Sequence, residues 1–325
     1  MGKFPHLHHP RLELLHSHAD VEVWLEQQPP PYELLLEKVK QLDGLLCLLT
    51  DRIDRQLIEV GTSLKVISQM AVGYDNIDIS AATNKGILVG NTPGILTDAT
   101  ADLTWALLMA AARRVVEADK FVRAGRWQTW EPTLLLGAEI SGSTLGIVGF
   151  GRIGQAVARR AQGFAMEILY YSRHRRNWDF EQSLGVEYVE FDELLRKSDF
   201  VTIHASLSQE TDHLFGDRQF ELMKKEAILI NTARGDIVDP EALFRALSSG
   251  QIAGAALDVT SPEPLPPDHP LLSLENLIVT PHIGSASYQT RSKMAVMAAQ
   301  NLIAGLLGDR LPNCVNPEVR TQNKF

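Results

Sequence analysis

The feature that most limits how this chain can fold is a glycine-rich turn near its middle. An apolar run over 145–148 leads directly into Gly149-Phe150-Gly151-Arg152-Ile153-Gly154, and a helical pattern follows over 153–162. In a strand that passes into a helix this way, each glycine has a separate physical task. Gly149 allows the tight turn, Gly151 lets the backbone come close to a pyrophosphate, and Gly154 lets helix and strand pack closely. The free N–H groups at the start of the helix, around Arg152 and Ile153, then face the phosphates. A lone pattern of this kind says little. Here strand, turn and helix occur in order, and a second strand expected over 167–171 ends at the distance a dinucleotide-binding unit requires.

The same alternation of short apolar runs and helical patterns extends to both sides of the turn. Strands are expected at 44–49, 64–70 and 87–90, and later at 200–203, 227–231, 254–258 and 277–279. Helical patterns fall at 78–85, 97–113, 115–124 and 285–307, and Asp239-Pro240 opens another, with aspartate at the cap and proline in the first turn. The stretch 261–269 carries four prolines and reads as a structured loop. This pattern predicts an α/β protein with parallel sheets. A length of 325 residues exceeds what one hydrophobic core usually serves. The expected fold is two Rossmann-like, doubly wound parallel-sheet domains. A cofactor domain at 108–287 is inserted into a substrate domain built from 1–107 and 288–325, with the two long flanking helices as hinge elements.

Composition narrows the function classes. Hydrophobic residues make up 45% and charged residues 22%, the balance of a soluble globular chain. A net charge of −9 argues against a nucleic acid as partner, because phosphate-backbone binders need a basic surface. No membrane span is expected: the longest apolar stretch, 103–112, contains Thr104 and is closed by Arg113-Arg114. The start, Met-Gly-Lys-Phe-Pro-His, lacks the apolar core of a signal peptide. Cys47 and Cys314 have no metal-type spacing and read as reduced thiols of a cytoplasmic protein. His6, His8, His9, His16 and His18 cluster near the start without acidic or cysteine companions, so they read as an exposed polar segment and no metal is expected.

The end of the second strand bears on which dinucleotide binds. An NAD enzyme usually carries Asp or Glu there for the ribose hydroxyls. This chain has Tyr171-Ser172-Arg173-His174-Arg175-Arg176, with no carboxylate before Asp179. Guanidinium groups hold a 2′-phosphate through charge-assisted hydrogen bonds, whereas a carboxylate repels it. The expectation is NADP(H) preferred and NAD(H) also admitted, with Ser172, Arg173, Arg175 and Arg176 at the phosphate.

Three more motifs lie at strand ends, where open parallel sheets place their ligands. They are Asn231-Thr232-Ala233-Arg234-Gly235, Asp258-Val259-Thr260-Ser261-Pro262-Glu263-Pro264 and Pro281-His282-Ile283-Gly284-Ser285. Together they offer a fixed cation, a carboxylate and an imidazole, the groups that reduction of a 2-oxo acid needs. With these and Val72-Gly73-Tyr74-Asp75-Asn76-Ile77-Asp78, the chain resembles the D-2-hydroxyacid dehydrogenase family from about Leu12 to Val319. Within that family it is similar to the glyoxylate/hydroxypyruvate reductases, in 44–51 and 257–266 especially.

The resemblance implies reduction of glyoxylate and hydroxypyruvate to glycolate and D-glycerate. It makes His282 the proton donor and Glu263 the partner that favours its charged form. Arg234 becomes the clamp on the substrate carboxylate, completed by the N–H groups of Val72 and Gly73. It also implies that Leu49 and Ser285 line the pocket and that Trp130 reaches a neighbouring subunit's site in a homodimer. Ser206, Thr232, Asp258 and Gly284 would touch the cofactor. The chain departs from the family pattern at its start, where Lys3-Phe4-Pro5-His6-Leu7 would make only a short or damaged first strand before a helix-like 11–18. Competing expectations are a D-lactate or phosphoglycerate activity, or a dinucleotide-sensing co-repressor that binds partner peptides.

Overall fold

The computed structural model describes residues 10–319, and the chain divides into two compact units, 1–96 with 286–325, and 97–285. The expected strand at 3–7, and His6, His8 and His9, lie outside the described residues. In the first unit, α1 (Pro10–His16) and α2 (Tyr32–Lys38) precede β1 (Gly44–Cys47), α3 (Arg55–Val60), β2 (Val66–Gln69), α4 (Ile79–Asn84) and β3 (Leu88–Gly90). The strands pair in parallel in the order β1-β2-β3. Every residue of β2 and β3 is buried, Ser68 and Gln69 of β2 included, so neither segment alternates buried with exposed positions. Asp54 and Asp78 start α3 and α4 by accepting from Leu57 N–H (3.0 Å) and Ala81 N–H (2.8 Å).

The second unit holds the glycine turn. Its elements are α5 (Thr97–Ala112), α6 (Val115–Arg123), β4 (Thr144–Val148), α7 (Arg152–Ala161), β5 (Glu167–Tyr171), α8 (Trp178–Leu184), β6 (Glu187–Tyr188), α9 (Phe191–Lys197), β7 (Phe200–Ile203), α10 (Asp217–Leu222), β8 (Ile228–Asn231), α11 (Pro240–Ser248), β9 (Gly254–Leu257) and β10 (Leu277–Val279). Seven parallel strands run in the order β10-β9-β8-β7-β4-β5-β6. Strand residues alternate between two cores. Leu145, Ile147, Ile168 and Tyr170 pack with α5 and α7, while Val148, Leu169, Val201 and Ile203 pack with α9, α10 and α11. The strand order reverses between β4 and β7, and at such a switch point the loops part to leave a crevice beyond the carboxyl ends. Val148 is in register with Ile203, so Gly149 and His204 leave the sheet side by side there.

The chain returns to the first unit through α12 (Tyr288–Leu306), capped by Ser287 and packed on β1, β2 and β3. Its Gly305 lies so close to β2 that a Cβ would come within 2.5 Å of the Val66 side chain. The division between units falls at 96/97 rather than at the expected 107/108, which lies inside α5. That helix packs on α7, β8, β9 and β10, so it belongs whole to the second unit. At the other end the division falls at 285/286, two residues before the expected one.

Candidate active site

The glycine turn is built as its sequence requires. Gly149 has φ +93°, and a Cβ there would lie 2.4 Å from the Ala205 nitrogen; one on Gly154 would lie 2.3 Å from the Gly149 carbonyl oxygen. A side chain at Gly149 would push the turn off the segment after β7, and one at Gly154 would force strand and helix apart. Gly151 differs: it is the N-cap of the ten-residue α7, brings no capping side chain, and has open space where a Cβ would stand. The first-turn N–H groups of Arg152, Ile153 and Gly154 are therefore left to an anion at the positive end of a helix, a cradle that fits a pyrophosphate.

Beyond β5 the three arginines differ in what they do. Arg175 lies bidentate on Glu181, with Nε to Oε1 at 2.9 Å and Nη2 to Oε2 at 2.8 Å, and its guanidinium stacks on Tyr188. Glu181 is only 2% exposed and also accepts from the Tyr170 hydroxyl at 2.7 Å. The hydrogen bond from Arg175 holds the Glu181 carboxyl below its ordinary range despite burial, and Tyr170 is pushed up to about 12, chiefly by burial. Arg176 donates through Nη2 to the Phe150 carbonyl (3.0 Å) and through its N–H to the Tyr170 hydroxyl (2.8 Å). Of the three arginines expected at a phosphate, Arg175 is thus paired with a buried carboxylate, and its guanidinium stays about half exposed. Arg173 is exposed and has no hydrogen bond or ion pair among the described residues. Its charge acts on Glu210, in the loop after β7. Ser172 is half-buried beside it and Ser206 is exposed.

The three catalytic candidates come from three loops of the second unit. Asn231, at the buried end of β8, donates to the Arg234 carbonyl (2.8 Å) and accepts from Ala233 N–H (3.0 Å), which shapes the turn that presents Arg234. Glu263 accepts from His282 Nδ1 at 2.6 Å. Burial raises the Glu263 carboxyl, but the bond and charge of His282, the Thr260 N–H and the Arg234 charge outweigh it, so the net shift is downward. An ionised Glu263 can only accept, so Nδ1 carries the hydrogen and Nε2 is the atom left to exchange a proton. His282 has φ +54°, an uncommon conformation for a side-chain-bearing residue that costs about 1–3 kcal/mol and that its neighbours must hold in place.

Asp258 does the holding. It is 1% exposed and accepts from Ile283 N–H (2.8 Å), Gly284 N–H (2.7 Å) and the Thr280 hydroxyl (2.6 Å), while its carbonyl accepts from His282 N–H (2.9 Å). Gly284 is buried, and a Cβ on it would lie 3.2 Å from this carboxylate. Thr232 bonds to Thr104 of α5 at 2.9 Å. Asp258, Thr232 and Gly284, expected at the cofactor, therefore already serve the loop and the α5 contact. His204, at the end of β7, is unsuited to proton transfer at neutral pH. Its Nε2 lies 2.8 Å from the Thr202 hydroxyl, its Nδ1 has no partner among the described residues, and burial pushes it down to about 3. Ser285 is half-buried, and Trp130 is 78% exposed on the loop after α6.

In the first unit, Leu49 borders a cavity of about 420 Å³ that Asp51, Arg52 and Asn76 also line. The carbonyls of Val72 and Gly73 are tied back by Asn91 Nδ2 (2.8 Å) and Gln69 Nε2 (3.3 Å). Gln69 also donates to Asn76 (2.8 Å), which in turn donates to the Leu48 and Asp51 carbonyls. The N–H groups of Val72 and Gly73 have no acceptor among the described residues. Sequence reading did not single out Gln69, Asn91 or Glu181, and it took Asn231 only as part of its motif, without a role. The available signal was a polar residue in or beside an otherwise apolar run, which Gln69, Asn91 and Asn231 show and Glu181 does not.

A doubly wound sheet with a glycine-turn cradle at its switch point defines a dinucleotide-binding protein. Residues 105–284 match the profile described as D-isomer specific 2-hydroxyacid dehydrogenase, NAD binding domain. A glyoxylate reductase of Korarchaeum cryptofilum is 54% identical over 309 residues, covering 95% of this chain and 93% of the relative. One of Thermococcus litoralis is 51% identical over 316 residues, covering 96% and 95%. Among solved structures, a protein of Thermus thermophilus has TM-score 0.88 at 47% identity, covering 94% and 96%. An NADPH-dependent glyoxylate/hydroxypyruvate reductase of Sinorhizobium meliloti, in complex with NADP and malonate, has TM-score 0.84 at 31% identity, covering 95% of each chain. The chain belongs to the D-isomer-specific 2-hydroxyacid dehydrogenase family, and its cofactor is a nicotinamide dinucleotide.

Proposed function

We propose that this protein reduces glyoxylate and hydroxypyruvate to glycolate and D-glycerate, with NADPH preferred over NADH. The observation that carries the reading is the pair His282–Glu263, with Nδ1 committed to the carboxylate at 2.6 Å and Nε2 left for a substrate oxygen. The bound dinucleotide supplies a hydride. His282 delivers the accompanying proton from Nε2 to the carbonyl oxygen, and Glu263 stabilises the imidazolium that makes the delivery possible. Arg234 binds the substrate carboxylate and polarises the carbonyl beside it. The unused N–H groups of Val72 and Gly73 suit a carboxylate oxygen, and Leu49 and Ser285 limit substrate size.

Supporting the substrate class are the relatives that bear the name glyoxylate reductase at 50% identity or more. The cofactor preference is supported by a turn without the usual carboxylate and by the unengaged Arg173. Arg173 is the ligand we assign to a 2′-phosphate, with Arg175 and Arg176 bracing the turn. We further read the protein as a cytoplasmic homodimer. No helix among the described residues is long and apolar enough to cross a membrane. The test is a panel of glyoxylate, hydroxypyruvate, pyruvate and phosphohydroxypyruvate, each assayed with NADPH and with NADH. The highest kcat/KM is expected for glyoxylate or hydroxypyruvate with NADPH. A higher value for pyruvate or the phosphorylated acid would reassign the substrate. Tight NADPH binding without turnover of any acid would favour a dinucleotide-sensing binding protein.

A further inference from the structure

Arg234 and Glu263 stand on separate loops, after β8 and after β9, and chemistry on one small substrate requires a fixed distance between them. Two contacts join the loops. Gly235, next to Arg234, lies against the other loop so closely that a Cβ would fall 2.0 Å from the Thr260 carbonyl oxygen. One residue further along each loop, the Ser261 hydroxyl donates to Asp236 Oδ1. Both ends of this bond are anchored. The Asp236 carbonyl accepts from His213 N–H at 2.7 Å, and Thr260 turns its hydroxyl to the Pro262 carbonyl at 2.8 Å and its N–H to Glu263 Oε2 at 3.4 Å. The path from the Arg234 turn to the Glu263 carboxylate thus runs through Asp236, Ser261 and Thr260.

We propose that Asp236 and Ser261 are positioning residues whose hydrogen bond latches the Arg234 turn to the Glu263 loop, fixing the anion clamp relative to the acid–base pair. The proposal rests on the reductase reading of this site. Neither residue is assigned a contact with substrate or cofactor; each acts through the loop it holds. The charged groups acting on Glu263 are His282 and Arg234. With the latch open, Glu263 drifts from His282, and the imidazolium loses its counter-charge. Catalysis then weakens for an electrostatic reason and not only through looser packing.

The experiment compares Ser261→Ala, Asp236→Ala and Asp236→Asn in the full-length protein. Reduction of glyoxylate by NADPH is followed across pH, and the His282 imidazole is titrated by NMR in ¹³C-histidine-labelled protein. Ser261→Ala and Asp236→Ala should lower kcat by about tenfold, in keeping with the sensitivity of catalysis to small misplacements. Both should also move the alkaline limb of the rate profile, and the imidazole titration, to lower pH. Asp236→Asn keeps an oxygen that accepts from Ser261 and should restore both readings to near wild type. NADPH binding, followed by fluorescence, should be unchanged in all three. The latch is overturned if the alanine variants leave the imidazole titration where wild type has it, or if Asp236→Asn behaves like Asp236→Ala. Absence of turnover in the wild type would overturn the reductase reading instead, and the NMR titration would still decide the latch.

Discussion

At the scale of single residues, the acid–base pair gives the most direct test. Glu263 is held below the ordinary carboxylate range, so it stays ionised throughout neutral pH. Any stability it lends is present above the unfolded value and is lost as pH falls through the lowered one. Reduction needs a proton on His282, so the rate should fall as pH rises. Glu263→Gln removes the negative charge that favours that proton and should move the alkaline limb to lower pH. His282→Ala should lose the limb and at least about a hundredfold in kcat, the lower end for general acid–base catalysis. Steady-state profiles from about pH 5 to about pH 10 decide it, and an unmoved limb in Glu263→Gln would remove Glu263 as partner. The arginines offer a second test by calorimetry. Arg173→Ala should weaken NADPH binding by about 1.5–3 kcal/mol and leave NADH nearly unchanged. Replacing the ion pair while keeping an acceptor for the Tyr170 hydroxyl, in Arg175→Met with Glu181→Gln, should keep most of the preference, because the phosphate is assigned to Arg173 and not to Arg175. Equal loss of both cofactors in Arg173→Ala would end the phosphate assignment.

At the scale of elements, much of the framework was legible because buried parallel strands are short apolar runs with little ambiguity. The strands β5, β7 and β10 fall where the sequence puts them, and β4, β8 and β9 within one residue. The elements left unassigned, α2, α3, α8, α9, α10 and the two-residue β6, are too short to show a period. The domain boundary was misread inside α5 because that helix is apolar along most of its length, and a pattern without a polar face does not tell which partner it packs on. The site motifs were legible as types of residue, but their division of labour was not. Glu181 sits among exposed residues in sequence and is nonetheless buried, and Asp258 holds a loop by bonds that only the fold creates. The return segment after α12 shows the same limit. Asn316 is fully buried, accepts from Val89 N–H (2.8 Å) and donates to the Ile87 carbonyl (2.9 Å) and the Thr83 hydroxyl (3.0 Å). Asn316→Ala leaves a buried N–H and a buried carbonyl unmade, each worth roughly 1–3 kcal/mol. The expected result is a lower midpoint for the first unit's unfolding in urea, with NADPH binding retained. An unchanged midpoint would show that the segment is held by other contacts.

At the scale of the whole molecule, one excursion of the chain is unlike the rest. The chain leaves the second unit's core at Ala112 and returns where Ala138 N–H donates to the Ala112 carbonyl at 2.8 Å. Between these points α6 buries none of its residues, although it carries Val115, Val116 and Val122, and the following loop exposes Trp127 (61%), Trp130 and Leu136. Large exposed apolar side chains concentrated in one segment mark a surface that another body covers. A second copy of this chain fits, because a two-fold axis pairs an element with itself and α6 carries two acidic residues, Glu117 and Asp119, and two basic ones, Lys120 and Arg123. The protein should therefore sediment at twice its 36.0 kDa at micromolar concentration. Val122→Glu combined with Trp127→Glu places charges on this exposed apolar face and should yield monomers. Trp130→Ala tests a separate statement, that Trp130 reaches the neighbouring subunit's site: the dimer should persist while KM for glyoxylate rises. If wild type sediments as a monomer and is fully active, the excursion serves another partner and Trp130 leaves the site. If the dimer forms and Trp130→Ala leaves KM unchanged, the interface stands and each subunit's site is complete without its neighbour's tryptophan.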